Sequence, residues 1–585
     1  MRTIKQLVHR VCGQLGQIVK SHAVKPHAAQ TKPALRSKSS PCGIQRLPSE
    51  ILAEIFKIYM RECTENFEFE VMRLKVGGSR PSHEWLQILL SVSDHWRSVA
   101  LSTVELFSRI DIIYPSMISF YLTVSQGIPL EIRGRINKTN TRWNVLSSED
   151  IDRVVALRVY TKMNASIPKT WPETFLNLES LSVTLTERYC PKTTSDYSAF
   201  SELLARSPRL TSLAVHLIRG GTASWMPFIA TSSLTRLRIY GWQGWEHTDE
   251  VPEEAEPGGI VQPFVALIQR LPHLDRLELM AFRLPSDVNL RGPFEELPHT
   301  LSVFEANGAL TSIAMLLQSR VITPRSLLIT AFHYEDSDDE DIPLTFSNMI
   351  NTLGVPVVNS ITSASICVGT GSESAENVYI FSVKGWTPYI PFTMHSFITT
   401  PPILDFTLNI RRSRGKDEGW AESKDATIGS ALARALTDIL PEVESVSVII
   451  RPSGESPIDI NMILDHICNG FRHLRNLQMP AFDGAFQTSV DPPMRWQTDS
   501  LPELSSLGVV FQPPFSIQAS RIAGTIQDLQ NYLSSRSSVQ PNCFQSLSLS
   551  ISDTETWTQT AIMEKLGQLR GLVGELRLQG LRNSQ

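Results

Sequence analysis

The sequence predicts an α/β protein in which a small helical module precedes an irregular solenoid, with parallel strands inside and helices outside. Three observations predict this class. An amphipathic helix begins near residue 47, a short apolar phrase returns many times after residue 150, and helical patterns precede many of its copies. A chain of 585 residues is too long for one ordinary core, so several domains or a repeat array are expected.

Composition and charge narrow the classes of function. With 42% hydrophobic and 19% charged residues, the chain has the composition of a folded protein. Its net charge of −5 provides no general positive field, so we expect no nucleic-acid partner. No uncharged apolar run approaches the roughly 18 residues of a membrane span, so we expect no membrane association. Seven dispersed cysteines without a C-x-x-C pair indicate reduced thiols and a cytoplasmic or nuclear protein.

Residues 1–43 form a basic tail that we expect to be disordered. No Asp or Glu precedes Glu50, and apolar residues near the amino terminus repeat at helical spacing. Basic, acid-poor and amphipathic segments also occur as organelle transit peptides. Mitochondrial targeting is therefore the alternative to a mobile tail with one weak helix.

The helical module starts with "LPSEILAEIF" at residues 47–56. Pro48 suits the first position of a helix. Ile51, Leu52, Ile55 and Phe56 share one helical face because they are spaced three and four residues apart. An apolar face this large on so short a helix must be covered by this chain or by another.

Two further helices are predicted to complete the module, which we place at residues 44–112. The polar, glycine-containing stretch "TENFEFEVMRLKVGGSRPS" is interpreted as an inserted loop. "WLQILLSV" follows with dense apolar spacing, and Asp94 is predicted to cap a third helix that carries Trp96, Val99 and Ala100. Such a small core is marginal unless it docks on something.

The segments "LPSEILAEIF" and "LLSVSDHWRSVALSTVELFSRI" resemble the F-box, in the form common to fungal F-box proteins. The family's Leu-Pro-x-Glu-Ile start, Val-x-x-x-Trp-Arg middle and late aromatic recur in order. The chain departs from the family at Ser93, often Cys, at Val104, often Pro, at Phe107, usually Trp, and in a long insertion after Tyr59. The resemblance covers only the module.

The F-box resemblance implies that the apolar face docks on the small Skp-type adaptor of a cullin-based ubiquitin ligase. An apolar patch of this size on one helix start is typical of a binding site. The alternative is that the same residues only pack the module against the repeats. The adaptor-binding residues carried over from the family pattern are Leu47, Pro48, Ile51, Leu52, Ile55, Phe56, Val92, Trp96, Arg97 and Ala100.

A repeated phrase predicts the solenoid. It occurs as "LNLESLSV", "SPRLTSLAV", "SSLTRLRI" and "LPHLDRLEL", and later as "LPEVESVSV", "FRHLRNLQM", "LPELSSLGV", "FQSLSLS" and "GLVGELRL". The common pattern, apolar-x-x-apolar-x-apolar, is that of the strand in a leucine-rich repeat. The helical patterns "FVALIQRL", "IGSALARALTDIL", "INMILDHICNGF" and "IQDLQNYL" precede some of these copies. Helix followed by strand, repeated, gives a parallel sheet lined by helices.

The array is assigned to residues 151–585, with residues 113–150 as a linking cap. In the cap, "LTVSQGIPLEIRGRI" predicts a helix, a turn and a strand. Between about residues 300 and 425 the pattern weakens to the strand signals "RSLLIT", "SITSASICV", "VYIFSV" and "LDFTLNI". We interpret this region as degenerate repeats with long loops.

The residue between the last two apolar positions of each phrase is predicted to point away from the core, because strand side chains alternate. These residues are Ser182, Ala214, Arg238, Glu278, Ser447, Gln478, Ser548 and Arg577. Their mixed chemistry argues against nucleic acid, which requires clustered Lys and Arg.

One aromatic loop follows a predicted strand, in "IYGWQGWEH". Exposed Trp and Tyr are strong interface anchors, and the alternative is that they fold over the end of the core. The candidate substrate-binding residues are therefore Arg238, Tyr240, Trp242, Trp245 and Glu278.

The sequence contains no catalytic or phosphate-binding motif that we recognise. His466, Cys468 and His473 are close in sequence, but helical spacing does not bring them to one face, so we expect no metal site and no cofactor. We predict a non-enzymatic substrate-recognition subunit of an SCF-type ubiquitin ligase, with an unknown protein substrate. The alternative is a leucine-rich-repeat interaction scaffold that does not direct ubiquitylation.

Overall fold

The structure is a computed structural model, and the chain divides into two compact units, Met1–Arg219 and Gly220–Gln585. It describes residues 47–73, 84–112, 115–125, 127–136, 141–162, 171–186, 198–218, 226–227, 229, 233–241, 261–282, 299–318, 322–334, 342, 345–346, 360–373, 376–387, 401–411, 431–440, 442–451, 460–480, 503–511, 519–539, 545–551 and 560–580. The predicted basic tail lies outside the described residues.

The first unit begins with three helices. They are α1 (Ser49–Arg73), α2 (Glu84–Val92) and α3 (Asp94–Ser102), and a 3-10 turn (Val104–Phe107) follows them. α1 is longer than predicted, because half of the stretch that we interpreted as a loop continues the helix. "TENFEFEVMR" contains no Pro or Gly that would stop a helix, and the first glycines come only after α1 has ended.

The first unit continues as a parallel sheet in chain order. Its strands are β1 (Arg109–Asp111), β2 (Leu130–Ile136), β3 (Val154–Lys162), β4 (Ser180–Thr186) and β5 (Ser212–Ile218). Each strand pairs in parallel with the next. The intervening elements are α4 (Pro115–Val124), a 3-10 turn (Thr141–Val145), α5 (Ser148–Asp152) and α6 (Ser198–Ala205).

The link between module and sheet has the predicted helix, turn and strand. α4 ends at Val124, Gly127 makes the turn with a φ of 78°, and β2 begins at Leu130. A positive φ is the conformation that glycine adopts without steric cost. The sheet already starts at Arg109, within the residues that the sequence analysis assigned to the helical module.

The second unit alternates helices with strands over most of its length. Its strands are β6 (Arg236–Tyr240), β7 (Arg276–Phe282), β8 (His299–Ala309), β9 (Ile322–Tyr334), β10 (Ser363–Glu373), β11 (Glu376–Trp386), β12 (Leu404–Arg411), β13 (Ser445–Arg451), β14 (Asn476–Pro480), β15 (Ser506–Phe511), β16 (Ser546–Ile551) and β17 (Glu575–Gly580). Its helices are α7 (Val261–Gln269), α8 (Leu310–Gln318), α9 (residues 431–439), α10 (Ile460–Gly470), α11 (Ala519–Val539) and α12 (Thr560–Leu569). The four helical patterns and the four degenerate strand signals are confirmed.

The strand order of the second unit is β6-β7-β8-β9-β12-β11-β10-β13-β14-β15-β16-β17. All pairs are parallel except those that β11 makes with β10 and β12. The prediction of parallel strands is therefore wrong for β11. Only residues 374–375 separate β10 from β11, and a parallel connection needs a crossover of a dozen or more residues.

The strand phrase has the predicted register. Ser182 pairs with Ala214, and Arg238 pairs with Glu278. On the opposite face of the same strands the leucines of the phrase are buried, as at Leu213. From β13 to β17, the residues in register on the outer face are Ser447, Gln478, Gly508, Ser548 and Arg577.

Candidate functional site

The interior of the helical module contains half of the residues predicted to bind an adaptor. The rings of Phe56 and Trp96 lie 4.9 Å apart at their centroids, and both side chains are buried. Leu52, Ile55 and Ala100 are buried as well. These five residues hold α1 and α3 together, so their first role is the stability of the module.

An exposed apolar strip lies beside this buried face on α1. Ile51 exposes 50% of its surface, Pro48 is exposed, and Leu47 and Ile58 are half-buried. The helix starts here, because the Leu52 N–H donates to the Pro48 carbonyl at 3.0 Å. We call Leu47, Pro48, Ile51 and Ile58 the docking strip, since they are accessible apolar side chains at the start of α1 and along its first three turns.

Arg97 connects two helices of the module. Its Nε donates to the Leu90 carbonyl of α2 at 3.0 Å, and one terminal nitrogen lies 2.9 Å from the Asp94 carboxylate. The side chain remains half exposed. Arg97 therefore provides a hydrogen-bond donor to a carbonyl near the end of α2. Val92, the last residue of that helix, is half-buried.

The cap of α3 differs from the prediction. Ser93, and not Asp94, is the capping residue, because the Trp96 N–H donates to the Ser93 hydroxyl at 3.1 Å. Ser93 has an extended backbone, which the capping position requires, whereas Asp94 is the first helical residue. The Ser93 departure from the family pattern thus has a structural role here.

An ion-pair group connects α1 to the 3-10 turn after α3. Lys57 Nζ lies 3.1 Å from Glu54 and 3.2 Å from Glu105. Hydrogen bonds to these carboxylates raise the pKa of Lys57. Hydrogen bonding by its own backbone, and then by Lys57, lowers the pKa of Glu105.

An arginine cluster, formed by Arg236 and Arg238 of β6 and Arg276 of β7, surrounds Glu278 on the outer face of these strands. Glu278 has 0% exposure, and its Oε1 lies 2.5 Å from Arg236 and 2.7 Å from Arg276. Arg238 binds the other carboxylate oxygen. Burial alone would raise the pKa of Glu278, but the charges and hydrogen bonds of Arg238 and Arg236 outweigh burial and lower it.

The predicted substrate residues are only partly brought together. Arg238 and Glu278 bind each other in the arginine cluster, so Glu278 is enclosed while Arg238 keeps 40% of its side chain exposed. Tyr240 is half-buried at the end of β6. Trp242 and Trp245 lie outside the described residues.

A second charged group on the outer face of the first unit was missed by the sequence analysis. The Glu131 carboxylate on β2 forms ion pairs with three arginines. Its oxygens lie 2.8 Å from a side-chain nitrogen of Arg109, 3.1 Å from one of Arg133 and 2.7 Å from one of Arg158. The signal was the alternation of charged residues in "LEIRGRI", which puts them on one face of a strand. Recognising the neighbours would have required the strand register.

No known protein-family model matches this chain, and no curated protein matches it. Within the residues that the structure describes, no helix is both long and apolar enough to cross a membrane.

Proposed function

We propose that this chain is a substrate-recognition subunit of an SCF-type cullin ubiquitin ligase. The observation that carries the proposal is the docking strip, where half-exposed Ile51 stands beside Pro48 on a helix whose other face is packed. An isolated exposed isoleucine is ordinary, but an apolar strip at the start of an F-box-like helix is a suitable anchor for a partner.

The packing of the module supports this proposal. Phe56 and Trp96 bury their rings against each other, whereas Pro48 and Ile51 stay exposed. The exposed part of the docking strip is therefore available to a Skp-type adaptor. The adaptor would bury the apolar surface of Ile51 and gain the corresponding hydrophobic free energy.

In this proposal the chain is not an enzyme. The repeats hold a protein substrate on the outer face of the sheet, with Arg238 of the arginine cluster as one contact. The ligase supplies the chemistry, and the chain supplies proximity, which raises the effective concentration of substrate near the transferred ubiquitin. We place the complex in the cytoplasm or nucleus, where the ligase partners act.

The test compares adaptor recovery by the full-length wild type and by a Leu47→Asp, Ile51→Asp double variant. We expect the double variant to lose the co-purifying Skp-type adaptor, because two carboxylates would have to be buried in an apolar contact. The matched control is Leu176→Asp, which changes a leucine of similar exposure, 57%, outside the module. This control should recover as much adaptor as the wild type.

Folding of the double variant is checked by circular dichroism and by the protection of α1 amides against hydrogen exchange. Undiminished adaptor recovery from a folded double variant would overturn the proposal. The scaffold alternative is separated by depletion of the protein in cells. A substrate bound through the repeats should then accumulate, whereas the partner of a scaffold should not.

A further inference from the structure

The strand β17 leaves the core of the second unit open at one side within the described residues. Leu576 and Leu578 are in register with Leu547 and Leu549 of β16, which are both fully buried. Leu578 nevertheless exposes 38% of its surface, and Leu576 is half-buried. Two side chains on the core face of the sheet thus remain accessible.

The helix α12 contributes a third accessible side chain to the same end. Met563 exposes 53% of its surface. Lys565 and Gln568 mark the side of α12 that contacts α11, through hydrogen bonds of 3.0 and 2.8 Å. At 100° per residue, Met563 points away from that side. Met563, Leu576 and Leu578 therefore form an apolar end surface.

Among the described strands, β17 pairs with β16 along one edge. Its other backbone edge has no partner among these strands. The Glu575 N–H donates to the Gln545 carbonyl at 2.8 Å, so the backbone groups of Glu575 and Arg577 face β16. The backbone N–H and C=O groups of Leu576 and Leu578 therefore point to the other, unpaired edge. Such an edge is a template for another strand.

We propose that a second copy of this chain pairs with the edge, the two β17 strands running antiparallel about a two-fold axis at Leu576. Leu576 then exchanges both backbone hydrogen bonds with its counterpart, because its groups point outward. Leu578 lies opposite Gly574 of the second copy, where no side chain obstructs it. The axis keeps both core faces on one side, so the two apolar end surfaces join.

The charges of β17 select this register. It places Glu575 directly opposite Arg577 of the second copy, and symmetry makes that pair twice. Both residues fall at non-hydrogen-bonded positions, where opposite side chains are closest. In the single chain they pair with each other at 2.7 Å with both side chains more than half exposed, so both are accessible to exchange partners.

The competing arrangements lose these contacts. An in-register parallel pair would place Glu575 beside Glu575 and Arg577 beside Arg577. An antiparallel pair centred on Leu578 would put Arg577 opposite Gln579 and leave Glu575 without its cross-strand arginine. The strand is thus complementary to itself in one register, which is the property that a two-fold interface requires.

The test uses the full chain and measures its mass in solution across a concentration series. We expect the wild type to reach a mass twice that of one chain. Glu575→Arg and Arg577→Glu, each alone, should weaken self-association by about tenfold or more, because each turns two attractive pairs into repulsive ones. An equimolar mixture of these two variants should associate again, since every cross-strand pair then joins opposite charges.

Recovery of association in the mixture is the decisive result. An ion pair between residues 575 and 577 of the same chain would not change when the other variant is added, whereas a pair between two chains would. The double variant Glu575→Arg, Arg577→Glu should also associate like the wild type. The matched control is Glu564→Arg, at an exposed position of α12, which should leave association unchanged. A monomeric wild type at all concentrations, or single variants that associate as well as the wild type, would overturn the proposal. Adaptor binding is measured separately and does not enter this result.

Discussion

Trp96 is among the largest fully buried side chains of the protein and lies in the core of the helical module. Its side chain is 1% exposed and contacts the Phe56 ring. We expect Trp96→Ala to destabilise the module by about 3–5 kcal/mol, the usual cost of removing a large buried aromatic side chain. Hydrogen exchange of the α1 and α3 amides should become faster, and adaptor recovery should fall because the docking strip loses its support.

The docking-strip variants provide the contrast to Trp96→Ala. Ile51→Asp should leave the exchange of α1 and α3 amides near the wild-type rate, since Ile51 is half exposed. If Trp96→Ala left the amides fully protected, the assignment of Trp96 to the core of the module would be wrong.

Glu278 is the corresponding residue of the second unit. Three arginines surround its enclosed carboxylate. We expect Glu278→Gln to lower the free energy of unfolding by about 1–3 kcal/mol, less than for a fully buried ion pair because the arginines are partly exposed to water. Denaturant unfolding measures this change. Glu305→Gln, which removes one arginine contact, is the matched control and should cost less.

The lowered pKa of Glu278 gives stability a pH dependence with a definite sign. The folded carboxylate binds a proton less readily than the unfolded one, so its contribution is present above the ordinary glutamate pKa of about 4.3. It is lost as the pH falls through the lower folded value. Unfolding curves measured from neutral to acidic pH should show a smaller loss in Glu278→Gln than in the wild type. An identical loss in both proteins would contradict this assignment.

At the scale of the elements, two helical glycines differ in what surrounds them. A Cβ added at Gly470, the last residue of α10, would lie 2.2 Å from the Thr437 side chain of α9. A Cβ added at Gly524, within α11, would meet nothing within 4 Å. Gly470 is thus required by close helix packing, whereas Gly524 is not.

We expect Gly470→Ala to destabilise the second unit by about 1–3 kcal/mol through overpacking. Gly524→Ala should stabilise it by up to about 1 kcal/mol, because alanine is the better helix former. Thermal unfolding of the two variants, side by side with the wild type, measures both signs. The same sign for both substitutions would contradict the packing described here.

The elements also show what the sequence could and could not predict. The strand phrases gave the register, because alternation distinguishes the two faces of a strand without reference to its neighbours. The same alternation is blind to direction, so the reversal of β11 was missed although the connection at residues 374–375 is short. α1 was predicted too short because its polar second half carries no apolar stripe.

At the scale of the whole molecule, the sequence predicted the alternation of helix and strand but not the division of the candidate site. Ile51 and Ile55 belong to one apolar helical face, yet Ile51 is half exposed and Ile55 is buried. Helical spacing defines a face, but the packing of α3 decides how much of it is covered. The arginine cluster was predicted only in part for a similar reason. Arg238 and Glu278 were placed on the outer face, but the contact of Arg236 with Glu278 crosses from β6 to β7 and needs the pairing of these strands.

The displaced order of β10, β11 and β12 has a consequence for how the protein forms. During synthesis β9 is made long before β12, the strand that covers its edge, because Leu327 pairs with Leu404. The edge of β10 likewise stays uncovered until β13 is made, because β13 pairs with β10 and not with β12, the strand that precedes it in the chain. Pairing of β9 with β12 closes a long loop and is therefore a slow folding step, so a nascent chain arrested before residue 404 exposes the unpaired edge of β9.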